Sequence, residues 1–333
     1  MAMTVFLLLA SALAIYFSCE YFVNGVEWVG HRFGVSRTAT GTILAAFGTA
    51  LPESLVTFIA VVFGHDAAQK EIGIGAAIGG PLVLASVAYA VVGGVFLSAR
   101  RTAAGPLLSP AGGRRLFKDQ AWFMAIFVVK VVLGLVAFSI KPWLGVAFLA
   151  AYALYVRQEL TAEHDAEEQV ENEPLRIRPN EANPARRWAL LQTGVALAAI
   201  FFSSRVFVGQ LEALGPWLGL SSQMVALLLS PVATELPETL NAVIWVRQGK
   251  QSLALANISG AMMIQATIPS ALGLLFTPWR LQPPLMWAAV VTMLSIAGIA
   301  VLLKRGALTA KRLAAFGALY VLFAAGLLLP FLA

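Results

Sequence analysis

Thr49-Ala50-Leu51-Pro52-Glu53 lies inside the long apolar run from Gly41 to Phe63, and the chain repeats it 185 residues later as Thr234-Glu235-Leu236-Pro237-Glu238. Each copy sets a carboxylate beside a helix-breaking proline where the surroundings read as hydrocarbon. An unpaired charge at membrane depth costs roughly 2.5 kcal/mol or more, and such a residue is functional by default. Two such glutamates in matching contexts call for a cation.

The match continues around the pentapeptides. Sliding residues 20–64 onto 205–249 without a gap gives 15 identities in 45 positions, among them Phe22/Phe207, Glu27/Glu212, Gly34/Gly219, Ser36/Ser221 and Gly64/Gly249. A four-residue shift in the next loop aligns Gly79 with Gly260. Shared apolar composition explains some of these matches, but not Thr-x-Leu-Pro-Glu in both copies.

Composition sets the solvent. The 333 residues are 59% hydrophobic and 12% charged, with a mean hydropathy of +0.80, where a soluble chain carries about 25% charged residues. Apolar runs at about 3–30, 38–63, 72–98, 120–139, 142–157, 188–214, 222–246, 253–276, 284–303 and 311–332 are long enough to cross a bilayer. The sequence therefore predicts an all-α integral membrane protein of about ten transmembrane helices, in contact with lipid. Eighteen of the 23 Lys and Arg residues fall on one side of this layout, and Lys70, Lys141 and Arg280 on the other. The positive-inside rule then puts both termini outside, in a cell inner (plasma) membrane. That bias accounts for the formal charge of +6, so no nucleic-acid partner is implied.

Residues 158–187 are charged and poor in large apolar side chains, and include Glu163, Asp165, Glu167, Glu168, Glu171 and Glu173. They read as a solvated cytoplasmic linker between a first repeat, 1–157, and a second, 188–333. Each repeat has five spans, an odd number, so the second enters the membrane upside down. Two inverted five-helix repeats with a site at their interface are the architecture of secondary transporters. The run from Val5 to Phe17 has no Lys or Arg before it and continues into a repeated segment, so it reads as a retained helix.

The spacing also describes a site. Threonine and glutamate four residues apart share a helical face. The proline between them cannot donate a backbone hydrogen bond, which frees the carbonyls of Gly48 and Ala233. Carboxylates from Glu53 and Glu238, hydroxyls from Thr49 and Thr234, and two bare carbonyls form an all-oxygen set suited to Ca²⁺ or Na⁺. The single cysteine, Cys19, excludes an internal disulfide and a cysteine metal site. Lys130 and Arg205 lie inside spans, with ion pairs to Glu20, Glu27 or Glu212 expected to neutralise them. Asn24 reads as an interhelical hydrogen-bonding residue or as support for a cation ligand. His31, His65 and His164 fall in expected loops and match no catalytic motif, so no enzyme is expected. Gly73-Ile74-Gly75 and Gly79-Gly80-Pro81 lack the strand and basic residue of a nucleotide loop. They read as close helix packing and a break in the third span, and no cofactor is expected.

These residues resemble the Ca²⁺/cation antiporter superfamily, specifically its prokaryotic sodium/calcium exchanger type. That family repeats Gly-Thr-Ser-x-Pro-Glu, followed by Gly-Asn-x-x-Gly-Ser-Asn, in two inverted five-helix halves. The first motif stands here as Gly48-Thr49-Ala50-Leu51-Pro52-Glu53 and as Ala233-Thr234-Glu235-Leu236-Pro237-Glu238. The resemblance implies that Glu53 and Glu238 are the central cation ligands, with Thr49 and Thr234 beside them. The second motif departs further, as Gly75-Ala76-Ala77-Ile78-Gly79-Gly80-Pro81 and Ala256-Asn257-Ile258-Ser259-Gly260-Ala261-Met262. Ala50, Glu235, Gly80 and Ala261 replace motif serines that help bind sodium in the family. Leu84 and Gln265 stand where it places Asn or Asp ligands, and Pro231 is foreign to it.

These departures bear on the ion. Glu235 adds a third carboxylate three residues before Glu238. Crowded carboxylates in low dielectric cannot all stay ionised, so the pair is expected to share a proton that is exchanged against the cation. The resemblance implies calcium export against sodium or protons by alternating access. A cation/proton exchanger for another ion, and a non-transporting scaffold or sensor, stay open.

Overall fold

Backbone polar groups at membrane depth must be satisfied within their own segment, which favours helices; among the described residues the chain has no strand. The computed structural model describes residues 2–36, 39–63, 67–98, 107–161, 173–214, 217, 228 and 230–332.

Among the described residues, ten helical segments follow the ten apolar runs. The first repeat begins with α1 (Ala2–Phe33) and a π turn (Thr40–Ala45) that leads into α2 (Ala46–Val62). The third segment is α3 (Ala67–Val83), a π turn (Leu84–Ala88) and α4 (Tyr89–Ser98). Next come α5 (Pro110–Leu135) and α6 (Leu144–Thr161). The second repeat has α7 (Arg186–Leu214), the pair α8 (Ser230–Thr234) and α9 (Leu236–Arg247), and α10 (Gln251–Phe276). It ends with α11 (Pro283–Lys304) and the pair α12 (Ala310–Ala315) and α13 (Gly317–Leu332).

Three expectations shift. The fourth segment starts at Pro110 rather than near 120, because Ser109 caps it by accepting from the Gly112 N–H at 3.2 Å and proline suits a first helical turn. Its early turns carry charges that lower a hydropathy average, but Arg115 is paired with Glu159 of α6 at 2.9 Å. The third span does not break at Gly79-Gly80-Pro81; the helix runs through Pro81 and widens into its π turn just beyond. His31 lies in the last turn of α1, not in a loop.

Packing carries the inverted repeat. The second segment packs on the eighth, and the seventh on the third. The eighth packs on the fourth and fifth, and the third on the ninth and tenth. Adding five to each number maps one set of contacts onto the other. The first and sixth segments, α1 and α7, pair directly. Two glycines make the equivalent close approaches. A Cβ on Gly260 would lie 2.6 Å from the Thr42 Cα, and one on Gly79 would lie 3.0 Å from the Pro231 ring. Burial ranks the layers. The most apolar stretch of α10 is 83% buried, against 17% for those of α1 and α7, whose outer faces present Phe6, Leu9, Val195 and Phe202. The eighth and third segments are the centre, and α1 and α7 form a peripheral pair.

The linker is not wholly solvated. Asn24 and Trp28 on α1 donate to the Glu173 carbonyl, and Asn24 also accepts from the Arg176 N–H at 3.1 Å. Gln192 on α7 accepts from the Ile177 N–H and donates to Asn24. Leu175 is fully buried against Trp28, Val29 and Ala189. Residues 173–178 thus strap α1 to α7, and Asn24 serves that strap. The acidic run Glu163 to Glu171 lies outside the described residues.

Candidate functional site

The two pentapeptides fold differently. Through Thr49-Ala50-Leu51-Pro52-Glu53 the helix α2 is continuous. Through the second copy the helix breaks, with Glu235 (φ −83°, ψ 5°) at the junction between α8 and α9. The Glu235 N–H still reaches the Pro231 carbonyl at 3.1 Å, and its own carbonyl accepts from Thr239. Proline early in α9 tolerates this start, because the first helical N–H groups have no intrahelical acceptor. Pro231 therefore sits in the first turn of α8, and the interruption falls four residues later.

Glu235 and Glu238 are both fully buried. Gln265, on α10, donates from Nε2 to Glu235 Oε1 at 2.7 Å. Asn257, also on α10, donates to the Glu238 carbonyl at 3.1 Å. The third segment closes the group. A Cβ on Gly80 would stand 2.6 Å from Glu235 Oε1 and 2.7 Å from Gln265 Oε1. The extra acid thus fills space that the glycine leaves. Thr49 is buried, and its hydroxyl donates to the Ala45 carbonyl at 3.1 Å; the Thr234 hydroxyl donates to Pro231 at 3.1 Å. With their protons used in the helix, both oxygens keep lone pairs to offer. The helix α1 touches both motifs, with Phe22 against Gly48 and the Cys19 thiol 3.8 Å from the Pro237 carbonyl. The side chains of Glu53 and Ala233 lie outside the described residues.

Two asparagines add to this group. Asn241, three residues beyond Glu238 on α9, is fully buried, and among the described residues neither amide atom has a hydrogen-bond partner. The Oδ1 of Asn257 is in the same position. Asn241 has Val56 at its repeat-related place, so the duplication gave no signal for it. Its spacing from Glu238 on a helical face was the only one.

The intramembrane charges pair otherwise than expected. Glu20 meets Arg176 of the linker at 3.2 Å, and Glu27 meets Lys250 at 2.5 Å with Trp245 Nε1 at 2.7 Å. Lys130 instead donates to the Ala77 carbonyl at 2.7 Å, and Arg205 lies over the Phe201 ring. The Glu212 side chain is outside the described residues. Outside the spans, Lys141 donates to the carbonyls of Val136, Pro278 and Trp279, which joins two loops. Burial, and then the charge of Arg280, hold its pKa below the usual lysine value. The buried Glu27–Lys250 pair ties peripheral α1 to the start of α10. Glu27→Gln strands a buried ammonium, a change that costs about 3–5 kcal/mol. The melting temperature in detergent is expected to fall by several degrees, and Glu27→Gln with Lys250→Met to recover most of it.

The sequence pattern of the sodium/calcium exchanger protein family matches residues 3–158 and 188–329. The chain belongs to this family. Family membership makes it a membrane transporter rather than an enzyme. Inner membrane protein YrbG of Escherichia coli is 25% identical over 284 residues, covering 83% of this chain and 81% of YrbG. An uncharacterised membrane protein of Methanocaldococcus jannaschii is 25% identical over 270 residues, 80% of each chain. Among solved structures, the sodium-calcium exchanger NCX_Mj superposes with a TM-score of 0.75 at 21% identity, covering 97% of this chain and 98% of its own. That likeness shows the fold.

Proposed function

We propose that this exchanger-family protein exports a hard divalent cation, Ca²⁺ first, in exchange for sodium or protons by alternating access. Its two halves, 1–157 and 188–333, would meet at the site, with linker 158–187 in the cytoplasm and both termini outside. Glu53 and Glu238 are assigned as the central ligands, with the hydroxyls of Thr49 and Thr234, the carbonyls of Gly48 and Ala233, and the amide oxygens of Asn241 and Asn257 around them. Glu235, held by Gln265, is assigned to carry the exchanged proton with Glu238.

The observation that carries this reading is the buried cluster of Glu235, Glu238, Asn241, Asn257 and Gln265 on two packed helices. Carboxylate and amide oxygens in a dry site are hard-cation chemistry. Competition between ions for the same carboxylates is what makes a carrier an exchanger, because neither ion holds the full site with the other present. The contacts of α1 with both motifs support a moving wall, since the peripheral pair could slide over the site without unpacking the centre.

The test is a cation scan in proteoliposomes, with radiolabelled Ca²⁺ uptake followed against imposed Na⁺ and H⁺ gradients. Ca²⁺ uptake driven by at least one of them is the expected result. Another divalent or monovalent ion driven in its place would assign the protein to that ion. Absence of uptake for every cation would leave the scaffold reading.

A further inference from the structure

Arg115 and Asp119 stand four residues apart on α5, one turn from each other on one face. Opposite charges so placed attract each other, but here they do not pair. Among the described residues the Arg115 guanidinium pairs with Glu159 of α6, Nη2 to Oε2 at 2.9 Å. Asp119 Oδ1 and Arg115 Nε are both buried, and among the described residues neither has a hydrogen-bond partner. Asp119 is 2% exposed and Glu159 3%. Two buried carboxyl groups thus compete for one guanidinium, and Glu159 has it.

A cavity reaches the carboxyl that is left. It lies between α5 and α10, where Leu108, Gly112 and Ser252 at its rim are half-buried and Asp119, Leu255 and Ala256 are buried. Its volume of about 20 Å³ is room for one water. The starts of α5 and α10 and the end of α6 meet here, on the face of the fold that carries the linker. The groups acting on Asp119 are Glu159 and Tyr155 from α6, Arg115 and exposed Lys118 from α5, and Tyr89 from α4. The helices α10 and α11, which also pack on α5, carry no ionisable residue except exposed Lys304. On α10, Ala256 is nine residues from Gln265, about 14 Å of helix rise, so the cavity stands apart from the Glu235 carboxylate.

Glu159 connects this corner to the second segment. Its Oε2 also accepts from the Thr42 hydroxyl, at 3.4 Å, in the π turn that leads into α2. The last residue of that turn, Ala45, accepts from the Thr49 hydroxyl of the first pentapeptide. Turns of this kind inside helices gather at functional sites. The chain Asp119, Arg115, Glu159, Thr42 therefore ends on the element that presents Thr49.

We infer that Asp119 is a second proton site, filled through this cavity from the linker face, that controls how firmly the π turn is held. With the proton on, Asp119 is neutral and Arg115 serves Glu159, which grips Thr42; this is the arrangement seen. With the proton off, Asp119 draws the guanidinium four residues away towards itself, and the hold on Glu159 and Thr42 loosens. The proton bound here is not the exchanged one. The control of transport rests on the antiport reading above; the proton site itself does not.

The experiment compares wild type with Asp119→Asn, Asp119→Glu and Glu159→Gln. Self-exchange of radiolabelled Ca²⁺ is measured in proteoliposomes at equal pH on both sides. Ca²⁺ is saturating, so that no proton gradient drives exchange and protons do not compete at the central carboxylates. Infrared difference spectra on changing the pH read protonated carboxyl groups directly, whether or not the protein transports. Wild type is expected to speed up about tenfold from the acid to the alkaline limit, the scale of one hydrogen bond to a charged group. Asp119→Asn is expected to melt like wild type, to stay at the acid-limit rate at every pH and to lose one carboxyl band. Asp119→Glu keeps the acid, with room for it in the cavity, and is expected to keep the pH profile with the band displaced. Glu159→Gln leaves the guanidinium to Asp119 and is expected to be fast at every pH. An Asp119→Asn protein that keeps the wild-type pH profile or the full set of carboxyl bands would overturn the inference and leave antiport intact. So would a Glu159→Gln protein as slow as Asp119→Asn. A wild type that exchanges no cation would overturn the antiport reading, and the infrared band would then decide the proton site alone.

Discussion

Glu53→Gln combined with Glu238→Gln is expected to abolish Ca²⁺ exchange, with each single change lowering the rate about a hundredfold. Glutamine keeps the shape and one oxygen of each side chain but removes the charge. Glu238 is fully buried, so its carboxylate has no bulk water to screen it. Breaking a buried charge interaction by neutralising one partner costs about 3–5 kcal/mol, and every 1.4 kcal/mol is about tenfold in an equilibrium constant. The singles leave one motif carboxylate and Glu235, the carboxylate proposed above to carry the proton, and are expected to retain a weak site. The double leaves Glu235 alone, which cannot hold a divalent ion through the exchange cycle. The measurement is initial uptake in proteoliposomes matched for protein content, with binding to the detergent-solubilised protein as a second readout. Exchange that survives in the double variant would remove Glu53 and Glu238 from the central role.

Much of this architecture was legible in the sequence because the bilayer simplifies the code. Every span must be helical and apolar, and the duplicated Thr-x-Leu-Pro-Glu names the halves. What stayed hidden depends on which polar group reaches which. Lys130 looked in need of a carboxylate, but Pro81, 49 residues earlier, had created a carbonyl acceptor for it. Residues 173–178 looked solvated on composition, yet one leucine, Leu175, and the backbone groups around it dock on Asn24, Trp28 and Gln192. The start of α5 looked like loop because its charges count against it in an average, while the fold pairs Arg115 with Glu159. Asp119 lies in the same charged turns and carries no signal in the sequence for the same reason. It is buried at the edge of a cavity between α5 and α10 that Arg115 and Ser252 also line. In each case a long-range partner inverted a reading that local composition supported.

The Gly80–Glu235 contact yields the second large effect. Gly80→Ser restores the small hydroxyl residue of the family motif, but its Cβ would stand 2.6 Å from Glu235 Oε1 and 2.7 Å from Gln265 Oε1. Overpacking a tight site costs about 1–3 kcal/mol, and here it also presses on a carboxylate held by a 2.7 Å hydrogen bond. Gly80→Ser alone is therefore expected to lose stability and at least tenfold in exchange rate. Glu235→Ser alone removes the acid and leaves an empty space at Gly80; it should fold, and lose proton-driven exchange. Together the two changes trade the carboxylate for a pair of hydroxyls, and each makes room for the other. The cycle is expected to show a favourable coupling of about 1–2 kcal/mol in melting experiments, within the range for residues in contact. It is also expected to shift the driving ion towards Na⁺, since hydroxyl oxygens offer ligands to a monovalent cation where the wild type offers a carboxyl group. Additive stability losses would mean that the glycine and the glutamate do not share space. A double variant still driven by protons would place the exchanged proton elsewhere than on Glu235.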